Sequence, residues 1–367
     1  MPKELPLAQF HRANGAEFFE RDGWSLPRHF GNPEVEYRSA RFRVALKDSS
    51  DRALLEFRGP DRFSFLQGMV SNDLRGLEAG HGIYAAFLNQ QGKVLGDARI
   101  LVLEDSFIVD LWEPLKEKIQ NHLARYLVAD EVEIIDATAS WAALSLLGPE
   151  SAAVLRRLAQ VAELPAVPLA HSAVRLRDAG VRLLRRSERE MDGYDILTAR
   201  EDLLRLARLL TEEVRALSSS PWIGEEAAEI LRLEAGIPRY GADFGDDTLL
   251  LETGLERAVS FTKGCYLGQE VVERVRSRGH VNRKLVGLRL EESCLPGDKL
   301  FAGGKEVGAV TSCAFSPALG KNLALGYVQR DYWSAGTSLK AARGPRLVGA
   351  IVTELPLTAS ETTAPFA

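Results

Sequence analysis

Short apolar runs and polar turns alternate through the first 220 residues, and the runs come twice in the same order. Residues 53–58 are strand-like and end in Gly59-Pro60-Asp61. Residues 143–147 are strand-like and end in Gly148-Pro149-Glu150. Proline cannot continue a strand ladder, and its fixed φ suits the first turn of a helix. Helix-like stretches follow at 62–68 and 151–158. Next come paired strand-like runs, 84–88 with 93–103 around Asn89-Gln90-Gln91-Gly92, and 173–177 with 181–186 around Asp178-Ala179-Gly180. A further strand and an amphipathic helix complete each set, at 114–128 and at 202–217, where Leu203, Leu204, Leu206, Leu209 and Leu210 fall at helical spacing. The pattern reads as two related β-α-β-β-α-β units of the ferredoxin-like, split βαβ kind, at roughly 40–135 and 136–220. Chance repetition is the other reading, because Gly-Pro after a strand is common.

The pattern then changes. Ser218-Ser219-Ser220-Pro221 is a polar connection, and a helix over 225–234 stops at Gly236 with Pro238 beyond. Strand-like runs recur at 284–290, 306–313, 323–328 and 346–353, separated by Gly and Pro turns. That spacing predicts a small antiparallel barrel. The chain is thus expected to be α+β, with residues 1–280 as one region, 281–357 as a barrel and 358–367 as a mobile tail.

Composition narrows the function classes. The chain has 367 residues, 46% of them hydrophobic and 26% charged, with a net charge of −5. That length exceeds one ordinary core. The charge does not point to nucleic acid or to a membrane surface. No apolar stretch reaches the roughly 18 residues that cross a bilayer, and the first residues lack a secretory pattern. The three cysteines, Cys265, Cys294 and Cys313, form no CxxC pair, so a reducing cytoplasm is the expected setting.

Several stretches could carry chemistry. Gly80-His81-Gly82 fits a loose dinucleotide fingerprint, but a strand follows it where a helix should, so it reads as a turn. The basic run from Arg274 to His280, with Arg283 and Lys284, suits the carboxylates of an acidic ligand or a solvated face. It lacks the interleaved aromatics of a single-strand platform, so nucleic acid is not expected. Ser71-Asn72-Asp73 has the chemistry of a turn or cap. Asp97, after Gly96 on an apolar run, faces either solvent or a site, and spacing alone favours solvent. Cys265 sits between Gly264 and Gly268, two residues from Lys263. Neighbouring cations would favour its thiolate, and a half-buried structural cysteine fits equally well. No Ser-His-Asp signature occurs, and no histidines show metal-ligand spacing.

The segment Lys263-Gly264-Cys265-Tyr266-Leu267-Gly268-Gln269-Glu270 resembles the signature of YgfZ-type folate-binding proteins, whose eukaryotic relatives act in iron–sulfur protein maturation. Residues 23–27, 88–97, 232–236, 240–243 and 310–328 resemble the glycine cleavage T-protein, the aminomethyltransferase that founds the superfamily. The resemblance implies a three-domain cloverleaf around tetrahydrofolate, and a role in assembling or repairing iron–sulfur client enzymes. It carries Asp97 over as the second, catalytic acid of the T-protein motif, with Gly96 in place of the first. It places Asp195 at the pterin-reading acid of a segment spanning 188–195, and Trp112 at a pterin-reading asparagine. Asn89 and Arg232 fall within the ligand-contacting segments, although a folate-contacting arginine four residues before Arg232 is Ala228. Cys265 becomes a redox thiol or a transient iron ligand. A folate-dependent aminomethyltransferase or demethylase acting through Asp97 is the alternative, and a non-catalytic scaffold a third.

Overall fold

Both Gly-Pro junctions break their strands in the same way. Gly59 and Gly148 take φ of 102° and 112°, and a helix follows each. The computed structural model of the protein describes residues 1–358 other than 160, 162 and 187–190. It divides into two units. One holds Met1–Phe87, Leu95–Ala228 and Arg257–Leu267; the other holds Leu88–Val94, Glu229–Glu256 and the chain from Gly268 on.

The first unit begins with β1 (Lys3–Glu4), α1 (Ala8–Ala13), β2 (Glu17–Arg21), β3 (Trp24–His29) and α2 (Pro33–Phe42), the three strands forming one small sheet. Then come β4 (Ala45–Asp48), β5 (Arg52–Arg58), α3 (Arg62–Met69), β6 (Gly82–Leu88), β7 (Val94–Val102), β8 (Phe107–Trp112), α4 (Lys116–Ala124) and β9 (Glu133–Asp136). The second round is β10 (Trp141–Leu147), α5 (Ser151–Leu158), β11 (His171–Leu176), β12 (Ala179–Arg185), β13 (Gly193–Ala199) and α6 (Leu203–Arg215). The two five-stranded sheets run β6-β7-β8-β5-β9 and β11-β12-β13-β10-β4. The echo in the sequence is therefore a repeat of topology. The three strands between the helices of each round are the paired runs and the further strand that the pattern indicated. One detail differs: the second sheet takes its last strand, β4, from before the first round, pairing Leu146 with Leu46 and Ser145 with Lys47.

Helices cover the outer faces. Val154, Leu155 and Leu158 of α5 and Leu203, Leu206, Leu210 and Val214 of α6 join Leu144, Leu146, Leu176 and Leu183 in one core. On their inner faces the sheets meet each other. Leu54, Leu101 and Ile108 pack with Ala143, Leu184 and Leu197. A strand covered on both faces needs apolar residues along its whole length. In β8 (Phe-Ile-Val-Asp-Leu-Trp), Asp110 is the exception, and it is fully buried.

In the second unit, α7 (Glu225–Glu234) ends and α8 (Gln269–Arg278) precedes a closed antiparallel barrel of β14 (Arg283–Leu290), β15 (Lys299–Ala302), β16 (Lys305–Ser316), β17 (Lys321–Gln329), β18 (Ser338–Arg343) and β19 (Arg346–Thr353). Its order is β14-β17-β16-β15-β18-β19, closed by β14 on β19. The expected barrel is present, with two strands more than the periodicity indicated. Residues 359–367 of the expected tail lie outside the described residues.

Candidate functional site

Side chains alternate across a strand, so Gly96 and Asp97 look in opposite directions. A Cβ at Gly96 would lie 3.0 Å from Leu115 and 3.4 Å from Ile119, against the α4 side. An acid there would be buried among aliphatic carbons. Asp97 shares its face with Arg99 and Leu101, and Leu101 lies in the core between the sheets. Asp97 thus points inward rather than to the outer surface that spacing favoured. It is half-buried, and Oδ2 accepts a 2.7 Å hydrogen bond from the Tyr84 hydroxyl. Burial pushes its carboxyl up from the ordinary aspartate range, against the pull of Tyr84, Arg52 and Arg257. The Arg257 guanidinium stands 4.8 Å from the centre of the Tyr84 ring.

Behind Asp97 runs a ladder of charges. Arg99 faces Asp110 across β7 and β8, and its Nε donates to Oδ2 at 2.8 Å. Arg52 donates to the other oxygen of Asp110 and, at 3.0 Å, to its carbonyl. Arg99 also reaches the opposite sheet and donates to Asp195. The remaining oxygen of Asp195 accepts from Ser145 at 2.6 Å and Arg186 at 2.7 Å. Burial alone would raise the Asp195 carboxyl, but Arg186 and Arg99, with Ser145, hold it well below the usual carboxylate range. Three guanidiniums and two carboxylates leave this inner row one positive charge in excess.

Of the site residues predicted from sequence, Asp97, Trp112 and Asp195 come together in this inter-sheet space. Trp112 stands directly across from Arg52 in the ladder of β5 and β8, on the face of Asp110. Asp195 takes a different part from the one expected. Both its oxygens are engaged by the ladder, so it positions Arg99 and Arg186. Glu188, Arg189 and Glu190, in the segment matched to the pterin-reading acid, lie outside the described residues. Tyr84, Arg52, Arg99 and Arg257 were not singled out from sequence. Arg99 and Asp110 carried a usable signal, since opposite charges on adjacent buried strands ask for one another.

The octapeptide has a structural core. Lys263 is 5% exposed, and its Nζ donates to the carbonyls of Gln67 (2.7 Å), Val70 (2.6 Å) and Asn72 (2.9 Å). The first two belong to the end of α3, which leaves its last carbonyls without helical partners, and the third to the turn beyond it. Burial brings its ammonium down to about 8, with Asp73 opposing. All three donors are used on these carbonyls, so none is left to hydrogen-bond a Cys265 thiolate. Cys265 itself is exposed, and the buried Tyr266 ring lies 4.9 Å from the Lys263 ammonium. Lys263→Met removes the common donor of three backbone oxygens and is expected to cost about 2–4 kcal/mol in chemical denaturation. Asn72 is a brace as well. Its Nδ2 donates to the carbonyls of Tyr84 and Arg257, both at 2.9 Å, and so sets the backbone of the two residues beside Asp97.

Gly264 has open space where a Cβ would stand, whereas Gly268 does not. Gly268 caps α8 at φ 84°, and a Cβ there would come within 2.5 Å of the Asn89 carbonyl oxygen. Glu270 sits in the first turn of α8, and Gln269 opens it; an acid there suits the helix dipole. Asn89 was expected to touch ligand. Instead its Oδ1 accepts from the backbone of Gln91 (2.9 Å) and Lys93 (3.0 Å) and holds the turn between β6 and β7. Arg232 is also corrected. It lies in the second unit, where Glu229, Asp243 (2.6 Å) and the carbonyl of Ile237 (2.7 Å) take its guanidinium. Asp243 in turn accepts from Thr311 and Ser312, both at 2.6 Å, so Arg232 anchors α7 to β16. In the basic run, Arg283 pairs with Glu252 at 3.1 Å and Lys284 with Glu256 at 3.3 Å, the pattern of a solvated, salt-bridged face.

Residues 7–263 match the model of the GCVT N-terminal domain, and residues 283–358 match that of the glycine cleavage T-protein C-terminal barrel domain. The chain belongs to the glycine cleavage T-protein family. An aminomethyltransferase of Rubrobacter xylanophilus is 32% identical over 330 residues, covering 89% of this chain and 87% of that one. One from Symbiobacterium thermophilum is 31% identical over 364 residues, 96% of each. The crystal structure of glycine cleavage system aminomethyltransferase T from Bartonella henselae superposes with a TM-score of 0.88 at 25% identity, over 97% of this chain and 98% of that one. These T-protein relatives overturn the YgfZ-type reading drawn from the octapeptide, together with its iron–sulfur function and partners. The octapeptide's most buried group, Lys263, closes a helix end instead. Among the described residues, no helix of this T-protein family member is long and apolar enough to cross a membrane.

Proposed function

We propose that the protein is a folate-dependent aminomethyltransferase, passing an aminomethyl group from a lipoyl carrier to tetrahydrofolate, with release of ammonia. Proteins of this family use tetrahydrofolate. The observation that carries the reading is Asp97, an inward-facing carboxyl bonded to Tyr84 and raised by burial, which the sequence resemblance matches to the T-protein's catalytic acid. A raised carboxyl keeps its proton closer to neutral pH and can exchange it with an amine nitrogen in the transition state. Tyr84 fixes the carboxyl's orientation. Trp112 and Tyr84 offer flat apolar surface of the kind a bicyclic ring stacks on, and the surplus positive charge of the ladder suits an acceptor that carries carboxylates. The three cysteines are free thiols, in keeping with a cytoplasmic setting.

The test is turnover of aminomethyl-lipoyl carrier with tetrahydrofolate, followed as methylene-tetrahydrofolate. Calorimetric binding of tetrahydrofolate without any turnover would refute the transferase and leave a binding protein. Absence of both would leave a scaffold.

A further inference from the structure

At one border of the two sheets in the first unit lies a cavity of about 740 Å3, within the size range of small-molecule sites. Glu56, Arg58, Ser106, His171 and Arg182 are among its walls, and Glu104 and Asp105 stand on its exposed rim. Arg182 lies on β12 directly across from Ala173 of the edge strand β11. A methyl-sized neighbour leaves the guanidinium uncovered towards the cavity. Arg182 is half-buried, and its hydrogen bond goes to Nδ1 of His171 at 2.9 Å. His171 is 3% exposed, and its Nε2 lies 3.2 Å from the His81 carbonyl. A carbonyl only accepts, so Nε2 carries the proton and Nδ1 presents a lone pair to Arg182. Burial, reinforced by the charge of Arg182, holds the ring at about 4, so it is neutral at physiological pH.

The charge of Arg182 therefore meets a neutral ring. Burial lowers its pKa, and no carboxylate among the described residues offsets the effect. The other inward arginines differ: Arg52, Arg99 and Arg186 each hold an aspartate. A half-buried guanidinium without a counter-ion is costly, and its planar fork matches a carboxylate. Elsewhere on the cavity wall the sign reverses. Glu56, bonded to Arg58 at 2.9 Å, and the rim acids Glu104 and Asp105 form a negative end. With Glu56 paired to Arg58, the two rim carboxylates leave that end negative, and a phosphate dianion would meet them. A simple monocarboxylate would satisfy Arg182 and leave the acidic end unused. A molecule with a carboxylate at one end and an ammonium at the other suits both.

We propose that this cavity is a binding site for an amino-carboxylic acid zwitterion, its carboxylate on Arg182 and its ammonium towards Glu56 and the acidic rim. The site is separate from Asp97 and does not depend on the transferase reading. Isothermal titration of the full chain tests it, with glycine, 4-aminobutyrate, 6-aminohexanoate and lysine, and with acetate and inorganic phosphate as comparisons. At least one zwitterion is expected to bind ten-fold or more tightly than acetate or phosphate. Arg182→Met should weaken that binding at least ten-fold, and Arg182→Lys should weaken it less. Arg175→Met, on an exposed position of β11, should leave it unchanged. Circular dichroism reports whether each variant folds, and if Arg182→Met does not, Glu56→Gln serves, with selective loss of the zwitterion's advantage over acetate expected. Failure of every zwitterion to bind the folded wild type overturns the proposal. So does acetate or phosphate binding as tightly, or affinity that survives loss of the guanidinium.

Discussion

Asp97→Asn is expected to lower the rate of methylene-tetrahydrofolate formation by at least a hundredfold, with the binding of tetrahydrofolate changed far less. The amide keeps the size of the side chain and can still meet the Tyr84 hydroxyl, but it cannot exchange a proton. General acid–base contributions of this kind are worth about 10²–10⁴ in rate. The same substitution should not destabilise the fold, and the sign follows from the titration. The folded-state pKa of Asp97 is raised by burial. Between the ordinary aspartate value near 3.9 and that raised value, the folded protein binds more protons than the unfolded chain. Wild-type stability therefore falls as pH rises through this window, and the variant escapes that loss. Melting temperatures measured from about pH 4 to 8 should show the variant gaining on the wild type as pH rises. A rate within threefold of wild type would remove Asp97 from the chemistry.

Arg99→Met is expected to be the most damaging single change to stability, at about 3–5 kcal/mol. Methionine fills much of the same space, so packing is nearly kept. The loss is electrostatic: Asp110 at 0% exposure and Asp195 at 2% each lose a buried partner, and removing one member of such a pair is costly. Asp195 also sets the pH dependence. Its folded value is depressed by Arg186 and Arg99, so the stability it contributes is present above the ordinary aspartate range and lost as pH falls through the depressed value. The penalty in urea denaturation should therefore be full at neutral pH and shrink on acidification. A cost under 1 kcal/mol would mean that water or rearranged arginines replace Arg99 easily.

The two residues illustrate what could be read in advance. Strands and helices were legible because their periods are carried by local neighbours, and helix Glu225–Glu234 and the barrel are where the pattern placed them. Two barrel strands carry no clear period, for local reasons. Lys299–Ala302 is only four residues long, and Ser338–Arg343 fills its inward positions with Leu339 and a small Ala341. The inner charge row was not legible, because its partners are brought together by register: Arg99 and Asp195 are 96 residues apart. Lys263 shows the hazard of local reasoning. Its nearest chemistry in sequence is Cys265, whereas its ammonium serves carbonyls nearly 200 positions away. Asn89 and Arg232 likewise sit in motif-like segments whose side chains brace a turn and a helix end.

The strand β4 carries a further consequence. It precedes the first round of strands yet completes the sheet of the second, beside β10. The two rounds are interleaved in the chain, so neither can be cut out cleanly. A fragment beginning at Trp141 would expose the hydrogen-bonding edge of β10, and one ending near Asp136 would carry β4 with no sheet to join. During synthesis, residues 45–48 must wait until almost a hundred further residues have left the ribosome. The second sheet is thereby unable to take its edge strand until β10 has been made.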